Sequence, residues 1–298
     1  MSRPPFLQLL LVLFTNCLFA GEVAITIDDL PRGGDLRTTT EADRAMTVKL
    51  LAPFQSEHIS VTGFVNECHH TDELQPLLSL WVAAGAELGN HTCSHLDLNT
   101  TSAAAFESDI VKGDVVTTAT VGRRPVYFRY PFLHAGKDLE TKLAVQQFLV
   151  AHGYRNAPVT LDDSDYLFAV VYAKALTGGD SQKARHVREL YLAYMESIFA
   201  FFEARSIEVT GHEIRQILLI HASQLNADAM PELLAMMRRR GYTFVSLEHA
   251  LEDPAYAMPE TYVGPGGFSW IHRWSMTKGM KPKGEPNEPE WIRKEAGF

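Results

Sequence analysis

The stretch VAITIDDLP, residues 23–31, ends an apolar run with two adjacent carboxylates, Asp28 and Asp29. The run predicts a strand over residues 23–27. Two like charges side by side at the end of a strand need a physical reason, because neighbouring carboxylates repel each other unless a cation or a hydrogen-bond donor compensates. The pair therefore marks the first candidate functional position.

Strand-like and helix-like patterns alternate along most of the chain. Further strands are predicted within residues 59–66, 86–91, 125–131, 216–222 and 242–247, and helices over residues 41–57, 72–84, 103–119, 137–152 and 230–240. This alternation is typical of a mostly parallel sheet covered by helices, in open or barrel form.

Two regions break the alternation. Residues 185–205 place apolar side chains at helical spacing with no strand nearby, which predicts one long amphipathic helix inside an insertion at about 166–212. Residues 263–298 are rich in Gly, Pro and charge, which predicts an irregular C-terminal tail. We expect one catalytic domain over residues 21–262.

Composition limits the function and location of the protein. With 298 residues, 46% of them hydrophobic, the chain can bury a sizeable core. The net charge of -9 argues against a nucleic-acid or anionic-membrane partner. Residues 1–20 join a basic start to an apolar run and end at Ala20, which predicts a cleaved signal peptide. We therefore expect a secreted or periplasmic protein with no stable membrane insertion after cleavage.

Two cysteines, Cys68 and Cys93, remain after removal of the predicted signal peptide. An oxidising compartment favours a disulfide between them. Two small buried apolar side chains are the equally simple alternative.

Polar side chains stand at the ends of several predicted strands. Besides the aspartate pair, His91, Arg129 and His221 each follow an apolar run. The carboxyl ends of parallel strands share one face, where functional sites assemble. We therefore expect these side chains to lie near one another.

The segment HTCSH places His91 and His95 four residues apart. On a helical turn both imidazoles would lie on one face and could hold one metal ion. Asp29 would complete a three-ligand site with open positions for water and substrate, as a hydrolytic metal site requires. Such ligands suit Zn2+, and also Co2+, Mn2+, Ni2+ or Fe2+.

Five short motifs, in this order, resemble polysaccharide deacetylases of the NodB-homology type, carbohydrate esterase family 4. They are TIDDL at 26–30, HTCSH at 91–95, RYPF at 129–132, DDSDY at 162–166 and LIH at 219–221. The resemblance implies a distorted (β/α) barrel with mostly parallel strands. It also implies an enzyme that uses one divalent metal, most often zinc, to remove N-acetyl groups from amino sugars of a polysaccharide.

The resemblance also implies a role for each matched residue. Asp28 would be the base that takes a proton from the attacking water, and His221 would protonate the leaving amine. Arg129 would pair with Asp28, and Asp165 would orient His221 and raise its pKa. The implied metal ligands are Asp29, His91 and His95, and the implied substrate-binding residues are Tyr130, Pro131, Phe132 and Tyr166, with a backbone N–H near Phe132 stabilising the oxyanion.

The chain departs from the family pattern at two positions, and two other functions remain open. Leu30 stands where the family usually has glycine, and Tyr166 where it commonly has tryptophan. The same fold could act on an O-acetyl ester or on a small amide or imide, because function resides in the site loops. A glycan-binding protein without catalysis is the second alternative.

Overall fold

A computed structural model describes residues 21–33, 39–66 and 75–298. The predicted signal peptide and Cys68 lie outside the described residues. Cys93 is disulfide-bonded, and its pairing with Cys68 stays a prediction. None of the helices in the described part combines the length and the apolar character needed to cross a bilayer.

The centre of the molecule is a parallel sheet in the order β5-β4-β3-β2-β1-β6, with β7 paired to β1. The strands of the described chain are Glu22–Leu30 (β1), Val61–Val65 (β2), Glu87–Asn90 (β3), Tyr127–Phe128 (β4), Arg155–Asn156 (β5), Gln216–His221 (β6) and Thr243–Phe244 (β7). The parallel arrangement predicted from the alternation is confirmed.

The two edges of this sheet approach each other. Residues 160 and 161 follow the edge strand β5, and their backbone N–H groups donate to the carbonyl of Ile217 on the opposite edge strand, at 3.0 and 3.1 Å. Leu161 also forms a parallel bridge with Leu218. The sheet therefore curls into a distorted (β/α) barrel, as the family resemblance implied.

Helices cover the outside of the sheet. They are Thr40–Ser56 (α1), Gln75–Ala83 (α2), Ala103–Val121 (α3), Leu139–Ala151 (α4), Asp165–Thr177 (α5), Ser181–Thr210 (α6), Gln224–Arg239 (α7), Leu247–Ala250 (α8), Trp270–Thr277 (α9) and Glu290–Ala296 (α10). Side-chain caps set several of the starts: Thr39, Ser102, Asp138 and Ser223 each accept a hydrogen bond from the first turn of their helix.

The helical insertion differs from the prediction. It contains two helices, because Gly178 and Gly179 separate α5 from α6 and Gly179 has a φ of 75°. The long helix extends over residues 181–210 rather than 185–205. The Asp180 side chain starts it by accepting the N–H of Lys183 at 2.9 Å.

The prediction of an irregular tail was wrong for much of residues 263–298. This segment forms α9 and α10, and Ile271, Trp274 and Ile292 are at most 1% exposed. The backbone N–H of Trp270 donates to the carbonyl of Val159 at 2.7 Å. The C-terminal segment therefore packs against the region where the two sheet edges meet.

A β-bulge at the end of β1 contains the aspartate pair. Ile27 pairs with Gly63 and Leu30 pairs with Val65, so β1 has one more residue than β2 over this interval. Asp29 lies in the bulge with a φ of 64°. The extra residue breaks the alternation of the strand at the point where Asp28 and Asp29 occur, so both carboxylates reach the same edge of the sheet.

Leu30, the departure from the family glycine, is fully buried. Its Cδ2 atom occupies space beside Gly63 on β2, where a Cβ atom would lie only 2.4 Å from it. The absence of a side chain at Gly63 therefore makes room for the leucine.

Helix α3 supports the segment that carries the two histidines. The Asp109 carboxylate accepts the N–H groups of Cys93 and Ser94 at 3.1 and 2.8 Å. One turn later, a Cβ atom on Gly113 would lie 2.8 Å from the carbonyl oxygen of Thr92. The backbones of the helix and the segment are thus in direct contact.

We predict that Gly113→Ala lowers the free energy of unfolding by about 1–3 kcal/mol, because the methyl group forces α3 away from Thr92. Denaturant unfolding measures the change. Gly284→Ala is the matched control, since a Cβ atom there has no atom of the described residues within 4 Å. Equal unfolding midpoints for the two variants would contradict the close packing.

Candidate metal centre

Three of the predicted residues converge at the carboxyl edge of the sheet. One ligand atom from each of Asp29, His91 and His95 lies within 4.8 Å of the others. The Oδ1 atom of Asp29 is 3.7 Å from Nε2 of His91 and 3.4 Å from Nε2 of His95. The structure thus brings together the set that the sequence predicted as metal ligands.

The ring of His91 is held in one tautomer. Its Nδ1 atom lies 2.8 Å from the backbone carbonyl of Arg129, which can only accept, so Nδ1 carries the hydrogen and Nε2 keeps its lone pair. Burial, reinforced by the neighbouring His95, lowers the pKa of His91 well below its usual value. A neutral imidazole with a fixed lone pair is the form that binds a metal.

The segment from His91 to His95 is not the helical turn that the four-residue spacing suggested. It is an irregular loop in which Thr92 and His95 have φ values of 66° and 51°. These left-handed residues bring the imidazoles together, with ring centroids 4.9 Å apart. The proximity was predicted correctly, and the helical geometry was wrong.

Asn66, which the sequence reasoning missed, fixes the third candidate ligand. Its Nδ2 group donates to Oδ1 of Asp29. Asn66 directly follows β2, so the rule that strand ends carry functional groups could have found it.

The donor chemistry fits a divalent transition metal. One carboxylate and two imidazoles are ligands that Zn2+ takes in hydrolytic sites, and Co2+, Mn2+, Ni2+ and Fe2+ accept the same donors. Burial lowers the pKa of His95 despite the opposing effect of Asp29, so this imidazole also favours its neutral, ligating form.

Asp28 lies beside this group and is paired with a buried guanidinium. Nη1 of Arg129 lies 3.3 Å from each carboxylate oxygen of Asp28. Burial raises the pKa of Asp28 to about 6, although the charge of Arg129 opposes the shift. A carboxylate with a raised pKa is a better proton acceptor near neutral pH.

His221 forms a second acid–base pair. Burial disfavours its charged form, yet the Asp165 carboxylate, 2.7 Å from Nδ1, raises the pKa of His221 to about 10. Asn226, also missed from the sequence, donates to the other oxygen of Asp165 at 2.6 Å and to the backbone carbonyl of His221 at 2.8 Å. The pair is therefore held rigidly, with His221 positively charged at neutral pH.

One cavity of about 560 Å³ is lined by the three candidate ligands together with Asp28 and His221. Of the predicted substrate-binding residues, Phe132 and Tyr166 line it and are 52% and 42% exposed, whereas Tyr130 lines it as a largely buried ring. Pro131 is buried and lies outside the lining. Glu285 and Phe298 of the C-terminal segment also line the cavity. They were not predicted as site residues, because residues 263–298 were expected to form an irregular tail.

A comparison with protein-family profiles finds one match. Residues 16–154 match the profile described as polysaccharide deacetylase. This part, just under half of the chain, is similar to the polysaccharide deacetylase family. The matched part contains Asp28, Asp29, the two histidines and Arg129, whereas Asp165 and His221 follow it.

Two curated relatives of this chain have names that describe substrates. A probable peptidoglycan-N-acetylglucosamine deacetylase from Arthroderma benhamiae is 34% identical over 121 residues, which cover 39% of this chain and only 25% of the relative. A chitin deacetylase from Colletotrichum lindemuthianum is 23% identical over 242 residues, 80% of this chain and 82% of the relative. The first match covers a small part of a deacetylase, and the second covers most of one.

A solved structure shows that the fold extends beyond the matched residues. The peptidoglycan deacetylase PdaC from Bacillus subtilis superposes with a TM-score of 0.51 at 19% identity, over 79% of this chain and 92% of that one. The polysaccharide deacetylase fold therefore covers most of the chain.

We predict that His95→Ala weakens zinc binding by at least about tenfold, because one of three candidate ligands is lost. Metal content after dialysis and a chelator competition titration measure the effect. His152→Ala removes an exposed histidine on the end of α4 and is the control. An unchanged zinc affinity in His95→Ala would show that the ion binds elsewhere.

Proposed function

We propose that this chain is a metal-dependent deacetylase that hydrolyses N-acetyl groups on the amino sugars of a polysaccharide. One observation carries the proposal: a candidate metal site, a buried carboxylate and a charged histidine line the same cavity. The names of the relatives favour chitin-like or peptidoglycan-like substrates. The predicted signal peptide leads us to propose a secreted or periplasmic location.

Asp29, His91 and His95 would hold the ion. A divalent ion in such a site lowers the pKa of water and polarises the carbonyl of the substrate. Asn66 holds the Asp29 carboxylate and the Arg129 carbonyl holds the His91 ring, so both ligands are oriented before an ion binds.

Asp28 is the proposed base. Its ion pair with Arg129 keeps it anchored, and its Oδ2 atom lies 3.7 Å from Nε2 of His91, beside the candidate ligands. From this position Asp28 would take the proton of the attacking water. Two adjacent carboxylates at a strand end thereby have different tasks.

His221 is the proposed acid. Hydrolysis of an amide needs a proton on the leaving nitrogen, and the pKa of His221, raised by Asp165, keeps it protonated at neutral pH. His221 lies on β6 directly opposite Asp28 in the register of β1, so acid and base are on neighbouring strand ends.

The loop after β4 supplies the proposed oxyanion donor and a wall for the sugar. Phe132 has a φ of 55°, and its ring packs edge-on against His95 with centroids 4.4 Å apart. Its backbone N–H would stabilise the negative oxygen that develops on the substrate carbonyl. Phe132 and Tyr166 would flank the sugar ring.

The decisive test is acetate release from N-acetylglucosamine oligomers by the purified chain. The protein is stripped with chelator and then supplied with Zn2+ or Co2+. We expect release only with metal. Release only from acetylated xylan would favour an ester substrate, and turnover of a small imide alone would indicate a non-glycan substrate. Tight glycan binding without turnover of any of these would favour a binding protein.

We predict that Asp28→Asn lowers kcat/KM for the oligomer by about 10²–10⁴-fold, because the base is lost. Zinc content should remain that of the parent, since the three candidate ligands are retained. Loss of zinc from Asp28→Asn would mean that base and ligand are misassigned. Acetate release and bound zinc are measured on the same preparations.

We predict that Asp165→Asn moves the alkaline limb of the pH profile of kcat/KM to lower pH. The acid must be protonated, and in the parent it loses its proton only as the pH approaches about 10. Without the Asp165 carboxylate the pKa of His221 falls, so activity declines at lower pH. Asp138→Asn, a remote helix cap, is the control. An unmoved alkaline limb would show that Asp165 does not set the pKa of the acid.

A further inference from the structure

The cavity contains a second group of carboxylates that the proposed reaction does not use. Asp162, Asp163 and Glu285 line it together with the candidate metal site, and the described residues of its lining include no lysine or arginine. Asp162 and Asp163 come from the segment before α5, and Glu285 comes from the segment between α9 and α10. This acidic group joins two parts of the chain at one end of the cavity.

Asp163 has an unused acceptor within this group. The residue is only 8% exposed, and its Oδ1 atom accepts the backbone N–H of Asp165 at 2.8 Å. Its Oδ2 atom is buried and has no hydrogen-bond partner in the part of the chain that the structure describes. An unpaired buried carboxylate oxygen is costly, so a donor supplied by a ligand would be strongly favoured here.

The other two carboxylates, Asp162 and Glu285, have little positive charge near them to compensate their own. Burial, followed by repulsion from Glu285, raises the pKa of Asp162 to about 7. Arg129 and His221 oppose this rise in the pKa of Asp162. Each of them is already paired with another carboxylate, however: Arg129 with Asp28 and His221 with Asp165. Among the described residues, the Glu285 carboxylate has one ion-pair contact, with Nε2 of His272 at 2.8 Å. A bound cation would relieve this repulsion.

The surroundings suit an organic ammonium better than a second metal. Within the described chain, the only three-residue group with ligand atoms close enough for one ion is Asp29, His91 and His95. Two exposed aromatic rings, Tyr166 and Phe298, line the cavity with centroids 5.7 Å apart. Aromatic faces attract ammonium groups and provide apolar surface for a sugar ring.

We infer that Asp162, Asp163 and Glu285, with Tyr166 and Phe298, form a subsite for a protonated sugar amine. The preferred substrate would then be a partly deacetylated glycan, with a free amine on one sugar and the N-acetyl group to be removed on another. This substrate class rests on the proposed function. The product of one deacetylation carries the group that the subsite binds, so it would become a better substrate for the next.

Kinetics on two tetrasaccharides of N-acetylglucosamine test the preference. One is fully acetylated and the other carries a single free amine, and both are assayed at neutral pH, where Asp28 is ionised and a large fraction of the sugar amine is protonated. We expect kcat/KM to favour the amine-bearing oligomer by about tenfold, the effect of one or two charge-assisted hydrogen bonds. Asp163→Asn and Glu285→Gln should each reduce this ratio towards one.

Glu140→Gln removes one negative charge from an exposed position on α4 and is the matched control. It should keep the parental ratio. A ratio near one in the parent, or an equal loss in the control, would overturn the inference. Asp163 and Glu285 lie in different segments, so a reduced ratio in both variants would not be explained by misfolding of one of them.

Binding measurements test the amine subsite independently of the proposed deacetylase activity. Calorimetry compares a glucosamine oligomer, which has no acetyl group to remove, with the N-acetylated oligomer. Tighter binding of the glucosamine oligomer that depends on Asp163 would support the subsite even if no acetate were released from any glycan. Equal binding of the two oligomers would overturn the subsite even in an active deacetylase. Two zinc ions per chain, one of them lost in Asp163→Asn, would overturn it in favour of a second metal.

Discussion

The site depends on one buried arginine. Arg129 is fully buried, and its Nη2 and Nε groups donate to Thr26 Oγ1 at 2.9 Å and to the Ala157 carbonyl at 2.6 Å, while Nη1 faces Asp28. Its guanidinium also stacks on Phe64, 4.5 Å from the ring centroid. One side chain thus joins β1, β2 and the segment after β5. Loss of one partner of such a buried pair destabilises a protein by about 3–5 kcal/mol.

The backbone of the same arginine has a second task. Its carbonyl accepts from His91, so the proposed base and one candidate ligand are positioned by the two ends of one residue. The guanidinium contacts β1, β2 and the segment after β5, and these contacts fix the position of Arg129. This explains physically how a two-residue strand, Tyr127–Phe128, can hold part of a site.

Strand ends were the part of the site that sequence could predict. Apolar runs reveal buried strands, and a parallel sheet gathers the residues after those runs, so Asp29, His91 and His221 were expected together before any coordinates. What escaped prediction depends on tertiary contacts. The left-handed residue Thr92 lies in backbone contact with helix α3, and the composition of the Gly- and Pro-rich tail gave no sign that Trp274 would be buried. Periodicity carries no information about such contacts.

Leu30 and Gly63 show how a departure from a family pattern is accommodated. The leucine side chain occupies the space that a side chain at position 63 would need. The side chains that fit at the two positions therefore depend on each other. A chimera that restores glycine at position 30 alone would leave a void beneath the aspartate pair, and a larger residue at position 63 alone would displace the bulge. Among homologues, these two residues should vary together even though 33 positions of chain separate them.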